Sequence, residues 1–559
     1  MRRLIECVPN FSEGRDQAVI DAITAQIGTV EGVDLLDVDP GQATNRTVVT
    51  LVGPPEEVVE AAVRAIAKAT ELIDMSQHRG EHPRFGATDV CPLVPVAGLT
   101  MDETVAYARE LARRLGEELG LTVYCYERAA TAPHRRNLAD VRAGEYEGLA
   151  KRLDDPEWRP DFGPAVFNPR SGATAVGARG FLVAYNINLN TTSTRRANAI
   201  AFDVRERGRL KRRGHPLTGE IERDAHGEPV WEPGSLEKVK AIGWFIEEYG
   251  VAQISMNLTD IEVTPIHVAF DEVARRAEAR GIRVTGSELV GLVPLGAMLD
   301  AGRHFLRKQQ RSTGIADDEL IKIAVKSLGL DELGPFDPSR KIIEYAMDHR
   351  TDRLVDLPVR RFVETTASES PAPGGGSVAA VLGALGAALG AMVANLSAHK
   401  RGWDDRWEEF SDWAERGKAC QDELLTLVDA DTDAFNDLMS AFGLPRATPE
   451  EEVARRSAIQ AATLRAIEVP LRVMEVSLIS MEVSAAMAEI GLEASVSDAG
   501  VGALCARAAV LGAGLNVEIN ASSLADQGAA AGYVRRAQDL RAQAVARETE
   551  ILTLVAQRL

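Results

Sequence analysis

The sequence predicts a layered α/β half, α+β in character and divided into two subdomains, followed by an all-α helical bundle. Three observations lead there. Up to about residue 290, short β-branched and aromatic runs alternate with amphipathic stretches of helical period. Beyond about residue 359 only the helical period persists. At the change, Gly and Ala fill fifteen of the thirty positions 371–400.

In order, Leu4–Val8 reads as a strand and Gln17–Ile27 as a helix. Val33–Val38 and Thr47–Val52 read as strands, separated by a polar, turn-rich loop over Asp39–Asn45. Glu56–Ile73 reads as a helix, Asp89–Val96 as a strand, Met101–Leu119 as a helix and Leu121–Tyr126 as a strand. This order favours helices on one face of a mixed sheet, and no glycine fingerprint for a dinucleotide follows the first strand. The second subdomain reads as strands at Phe181–Asn188, Val251–Leu258 and Ile282–Val284, with helices over Leu236–Glu248 and Pro265–Arg280. Gly208–Gly234, rich in Gly, Pro and charge, reads as an exposed insertion, its Arg209–Arg213 cluster as a solvated loop. Helical runs then cover Arg406–Phe442, Pro449–Ile490, Ser497–Leu515 and Gly528–Leu559. The expected divisions are 1–181, 182–350, a linker at 351–358, and 359–559.

Composition narrows the partners. Among 559 residues, 63 Lys+Arg against 83 Asp+Glu leave a net charge of −20, which disfavours nucleic acid because phosphate neutralisation needs a basic footprint. Five scattered cysteines without a C-x-x-C pair suggest neither a disulfide framework nor a zinc cage, and fit a cytoplasmic location. Val378–Leu396 runs nineteen uncharged residues, long enough to span a membrane. Its Gly/Ala composition instead favours a tightly packed helix of a bundle, so no membrane span is expected. A Gly/Ala-rich bundle with a long apolar surface points to a homo-oligomer.

Chemistry concentrates at His78-Arg79-Gly80-Glu81-His82-Pro83-Arg84. H-x-x-E-H matches an inverted zinc-protease pattern, but Gly80 weakens a helix and Pro83 pushes His82 out of the α region, so no metal is expected. An acid–base imidazole with a nearby carboxylate is the preferred reading. In the helical half, Pro373-Gly374-Gly375-Gly376-Ser377 opens the small-residue helix; two readings stand side by side, free amides that bind an anion with Ser377 as N-cap, or glycines that only permit tight packing. Asp429, Asp431 and Asp433 alternate farther on; on a helix, Asp429 and Asp433 share a face that Asp431 does not.

Several of these motifs together resemble a known family. ECVPNFSEG, LLDVD, TNRTVVTLVG, LIDMSQHRGEHPRFGATDVCPLVPV and VRAGEYEGL look like glutamate formiminotransferase. GFLVAYNINL, VAQISMNLTD and VTGSELVGLVPLGAMLDA look like its second subdomain. ESPAPGGGSVAA, TLVDADTDAF and GLNVEIN resemble formiminotransferase-cyclodeaminase, the bifunctional folate enzyme of histidine breakdown.

The resemblance implies transfer of a formimino group from N-formimino-L-glutamate to tetrahydrofolate, then ring closure with loss of ammonia. It places the transferase's catalytic histidine at His82 and the cyclodeaminase's catalytic aspartate at Asp431; Glu81, beside His82, is read from its chemistry as the carboxylate that orients it. Folate binding falls on Gly163-Pro164-Ala165-Val166-Phe167-Asn168-Pro169-Arg170-Ser171-Gly172, with Arg170 suited to a carboxylate. Asn10, Asp39, Asn45 and Arg46 lie in matching motifs as further cleft residues, and Gly374, Gly375, Gly376 and Ser377 as ligand-binding residues of the bundle. Tetrahydrofolate is the implied one-carbon acceptor, in polyglutamated form, its tail held by basic side chains. Two alternatives stay open: a helical half that is a methenyltetrahydrofolate cyclohydrolase or an inactive oligomerisation module, and a non-catalytic folate-binding scaffold.

Overall fold

The computed structural model describes residues 3–42, 44–80, 83–214, 219–348, 353–370 and 372–559. The chain divides into two compact units, Met1–Ala301 with Ala324–His349, and Gly302–Ile323 with Arg350–Leu559.

The first subdomain contains β1 (Leu4–Cys7), β2 (Asn10–Phe11), α1 (Gln17–Ile27), β3 (Asp34–Gly41), β4 (Arg46–Gly53), α2 (Pro55–Leu72), β5 (Thr88–Ala97), α3 (Met101–Glu117) and β6 (Thr122–Glu127). Short helices α4 (Leu138–Val141) and α5 (Glu145–Leu153) and strand β7 (Ala173–Ala178) complete it. Its sheet is mixed: β1 and β2 lie antiparallel between β4 and β5, β3 pairs with β4, and β7 runs parallel to both β5 and β6. Ile5, Cys7, Phe11, Val49, Leu51 and Cys91 turn to the core beneath α1, α2 and α3. By the period of two, Glu6 and Asn10 belong to the opposite face.

Two expectations change here. β3 continues through Asp39 to Gly41, so that Asp39 pairs with Val48 within the sheet and does not lie in a loop. Strand β7 was not expected at all: its Ala- and Gly-rich sequence carries little strand propensity and is set by parallel partners on both sides.

The second subdomain runs β8 (Val183–Leu189), α6 (Thr194–Val204), small strands β9 (Arg209–Leu210), β10 (Arg212–Arg213), β11 (Glu220–Ile221) and β12 (Trp231–Glu232), then β13 (Val239–Ile246), β14 (Val251–Leu258), α7 (Ile266–Glu278) and β15 (Val284–Val290). Its main sheet is antiparallel in the order β13-β14-β8-β15. β13 corrects the helix expected over Leu236–Glu248. Val239, Ala241 and Gly243 are buried while Lys240 and Ile242 are exposed, a period of two, and a Cβ on Gly243 would overlap α6 at Ala197 and Asn198. In the 208–234 insertion, Lys211 pairs with Glu222 at 3.0 Å and Arg209 with Asp203, so these cations serve local ion pairs.

Helices α8 (Leu295–Lys308), α9 (Asp317–Leu328), α10 (Pro338–Lys341) and α11 (Ile343–Ala346) follow. The bundle is built from α12 (Val359–Thr366), α13 (Gly375–Ala398), α14 (Trp407–Phe442), α15 (Pro449–Ile490), α16 (Val496–Ala521) and α17 (Gln527–Arg558). α15 starts on a capping box between Thr448 and Glu451 with Pro449 at its first position, which explains why its start is legible locally. Most of the Ala and Gly of α13 are buried in the bundle, and a Cβ on Gly386 would come within 2.7 Å of the Gly502 carbonyl, so the α13–α16 crossing depends on bare backbone. α13 and α16 are long and apolar enough to cross a membrane, and more than half of the apolar window in α13 is buried in the bundle. Segment 302–323 belongs to this unit: the Thr313 amide donates to Ser411 Oγ at 3.0 Å, and Asn395 Nδ2 donates to the Gly314 carbonyl at 2.8 Å.

Candidate active sites

The α/β site is assembled around the loop that follows α2. His78 is buried; its Nε2 donates to the Asn45 carbonyl at 2.8 Å, and its Nδ1 accepts from Arg84 Nε at 3.2 Å. Those bonds require a neutral ring. Burial, reinforced by the Arg84 charge, holds His78 below the usual imidazole range. Arg84 in turn makes a two-pronged contact with Glu147, at 2.5 and 3.2 Å. Asn45 accepts from the Gly14 amide at 3.0 Å and donates to the Arg79 carbonyl at 2.9 Å, pinning the loop to the start of β4. A Cβ on Gly80 would overlap the Thr44 carbonyl, which explains the glycine in the motif. Glu81 and His82 lie outside the described residues.

Next to this loop, Arg46 donates to Asn10 Oδ1 through Nε at 2.9 Å and also through Nη2. It pairs with Asp89 at 3.3 Å, and Arg142 reaches the same Asp89 oxygen at 2.6 Å. Asp89 is fully buried, and burial pushes Arg46 down to about 10. Asp89 Oδ1, Thr88 Oγ1 and Ser171 Oγ find no hydrogen-bond partner among the described residues. The structure therefore unites Asn10, Asn45 and Arg46 with His78 and Arg84 of the acid–base stretch, and adds Asp89, Arg142 and Glu147, which sequence reasoning did not single out. The available signal was the pairing of VRAGEYEGL, which supplies Arg142 and Glu147, with the acid–base loop.

The stretch 163–172 is a largely exposed loop through Arg170, with Ser171 and Gly172 buried. Gly172 has φ +64°, and a Cβ there would overlap the Phe85 carbonyl, so the loop's end lies directly against the end of the HRGEHPR segment. Arg170 donates to the Glu71 carbonyl at 2.6 Å, while its own carbonyl accepts from the Met75 amide at 3.0 Å.

In the second subdomain a polar ladder crosses the sheet, with Gln253 and Asn188 buried at its centre. Trp244 Nε1 donates to Gln253 at 3.0 Å, Gln253 to Asn188 at 2.7 Å, and Asn188 to Glu332 at 3.0 Å. Asn186 donates to Glu288 at 3.3 Å. The alternating polar residues of VAYNINL and VAQISMNL, read from sequence only as strands, are the signal for it.

The helical site lies at the start of α13. Gly374, and not Ser377, is the N-cap, and it supplies no side-chain acceptor. Ser377 is one turn inside, fully buried, with Oγ 2.9 Å from the Val428 carbonyl and 3.1 Å from Asp431 Oδ2, to both of which it is a donor in geometry. A Cβ on Gly376 would overlap the Asp431 carboxyl, so the glycine makes room for it. Burial raises the Asp431 carboxyl above the usual range, opposed by the Ser377 hydroxyl and amide. Asp429 is separate: its Oδ1 accepts from the Leu354 amide at 2.7 Å. Among the described residues, no group of three or more His, Cys, Asp or Glu is placed to hold a metal.

An α/β unit with a charged, polar site and a helical bundle with its own half-buried carboxyl define a class: a two-part chain with a candidate active site in each part. Comparison with known proteins supplies the family. Residues 4–179 match the formiminotransferase domain, N-terminal subdomain; residues 184–348 match the formiminotransferase domain; and residues 358–539 match formiminotransferase-cyclodeaminase. The chain is 46% identical over 529 residues to the formimidoyltransferase-cyclodeaminase of Gallus gallus, covering 94% of each. It is 40% identical over 307 residues to the glutamate formimidoyltransferase of Streptococcus pyogenes, which covers 55% of this chain and 94% of that one. It is also 35% identical over 197 residues to the methenyltetrahydrofolate cyclohydrolase of Methylorubrum extorquens, covering 35% of this chain and 95% of that one. The chain belongs to the formimidoyltransferase-cyclodeaminase family.

Proposed function

We propose that the protein moves the formimino group of N-formimino-L-glutamate to N5 of tetrahydrofolate, and closes the product to 5,10-methenyltetrahydrofolate with release of ammonia. The observation that carries this reading is the Asp431 carboxyl, half-buried at a glycine-lined helix start and biased by burial toward its protonated form. A carboxyl so biased, facing a glycine-lined opening, can donate a proton to a departing nitrogen.

In the first step N5 attacks the formimino carbon. His82 accepts the N5 proton and returns one to the glutamate nitrogen as its C–N bond breaks. The neutral His78, the Arg84–Glu147 pair and Asn45 support this reading by fixing the loop around His82. In the second step N10 attacks the same carbon of the protonated formimino group, whose nitrogen already carries two hydrogens. Asp431 protonates the departing nitrogen and recovers the proton from N10, leaving the methenyl cation and ammonia. The acceptor in this proposal is the polyglutamated folate, and retention of a polyglutamate over a monoglutamate intermediate checks it. Self-association is part of the same reading, supported by the exposed Val501, Leu504, Leu515 and Ile519 on one helix.

The test mixes protein, tetrahydrofolate and N-formimino-L-glutamate and follows methenyl absorbance and ammonia together. Both products should appear at equal rates. His82→Ala should abolish transfer and leave cyclisation of supplied 5-formiminotetrahydrofolate, while Asp431→Asn should do the reverse. The cyclohydrolase relative favours a second reading for the helical half. Consumption of methenyltetrahydrofolate without ammonia release would establish it.

A further inference from the structure

The motif Gly514–Asn520 has no role in the two steps above, and its polar side chains sit in different surroundings. Glu518 is taken by Arg541 at 2.7 Å, and Asn520 Nδ2 ties α16 to α15 through the Ala466 carbonyl at 2.8 Å. Asn516 differs. It is half-buried, its Nδ2 makes a 3.2 Å bond to the Gly512 carbonyl one turn back, and its Oδ1 accepts no hydrogen bond among the described residues.

That open acceptor lies beside the Asp431 site. A Cβ on Gly375 would fall 3.6 Å from Asn516 Nδ2 and 3.9 Å from its Oδ1, whereas one on the next residue, Gly376, would overlap the Asp431 carboxyl. Successive helical residues point about 100° apart, so the two glycines bare two sides of one turn, toward α14 and toward α16. The approach of α16 is close along this turn, since a Cβ on Gly512 would lie 3.6 Å from that of Ala379.

We propose that Asn516 is a second substrate-contacting residue of the cyclodeaminase site, its Oδ1 accepting a hydrogen bond from the formimino N–H while Asp431 serves the same nitrogen across the bared turn. The inference rests on the reading of Asp431 as the proton relay. The formimino group enters protonated, as C=NH2+, so the adduct carries an NH2 group on that carbon: one of its hydrogens is held by Asn516, and the third hydrogen of ammonia comes from Asp431. The C–N bond breaks with its electron pair leaving on nitrogen, N10 loses its proton to the carboxylate, and the amide of Asn516 is unchanged. A neutral acceptor suits this position, because it holds the NH2 without taking from it a proton that ammonia needs.

The test supplies 5-formiminotetrahydrofolate to the full-length protein and compares Asn516→Leu, Gly375→Ala and Asp431→Asn. Asn516→Leu should lower kcat for ammonia release about 10- to 100-fold, the cost of one hydrogen bond at the reacting group, with the transferase rate and the thermal midpoint unchanged. Gly375→Ala, which places a methyl against the amide at a position where alanine favours the helix, should also slow cyclisation. Asn516→Leu at wild-type kcat, or impaired only together with a lowered thermal midpoint while Gly375→Ala stays fully active, overturns the inference. If Asp431→Asn retains full cyclisation, the reading beneath it fails instead.

Discussion

In the α/β unit the site loop is held by charge, whereas in the helical unit the site carboxyl is held by the absence of side chains. His78, Arg84, Glu147, Arg46, Asp89 and Arg142 each depend on an oppositely charged or hydrogen-bonding neighbour contributed by a distant segment. Asp431 has a hydroxyl and an amide from Ser377, and otherwise the space that Gly376 leaves open. A network of the first kind fails when one partner is removed, because the others are left buried and unpaired. A site of the second kind tolerates charge changes better than added volume.

The largest effect should come from Asp89→Ala, which leaves Arg46 and Arg142 facing each other without their carboxylate. A loss of about 3–5 kcal/mol is expected for the α/β unit. It would be read as a lower urea midpoint for transferase activity, with the cyclodeaminase midpoint unmoved. A similar fall in both midpoints would show that the two sites are not energetically separate.

Gly376→Ala reverses the comparison. Its methyl must displace the Asp431 carboxyl, and a misplacement of about 1 Å costs on the order of 100-fold in rate. Ammonia release from supplied 5-formiminotetrahydrofolate should fall by that factor while transfer continues.

The smallest effect is in pH, where the two sites should respond with opposite sign. His78 is held below its ordinary value, so its contribution is present above that value and is lost as pH falls through the depressed one. Asp431 is held above its ordinary value, so its contribution is full in acid and is lost as pH rises. Between pH 7.5 and 5.5 the heat-inactivation midpoint of the transferase should drop relative to that of the cyclodeaminase by a few degrees, about 2–4 °C per kcal/mol. Parallel shifts would remove the contrast.

The sequence alone determined the change from layered to helical architecture and the extents of elements whose signals are local. α1 and α15 fall on the expected residues because their start signals are local: Asp16 caps α1, and Thr448, Pro449 and Glu451 open α15. The acid–base loop was legible from its His, Glu and Arg residues, whereas Asp431 stood out from its acidic run only through the family resemblance. Tertiary structure decided the rest. Leu236–Glu248 carries a pattern compatible with a helix, yet residues 239–246 pair with β14 and pack Gly243 on α6. Arg142 finds Asp89, 53 residues away, and Asn516 meets Gly375 only because α16 crosses the start of α13. Those partnerships depend on which distant segments are brought together, and no spacing within a single helix or strand records that choice.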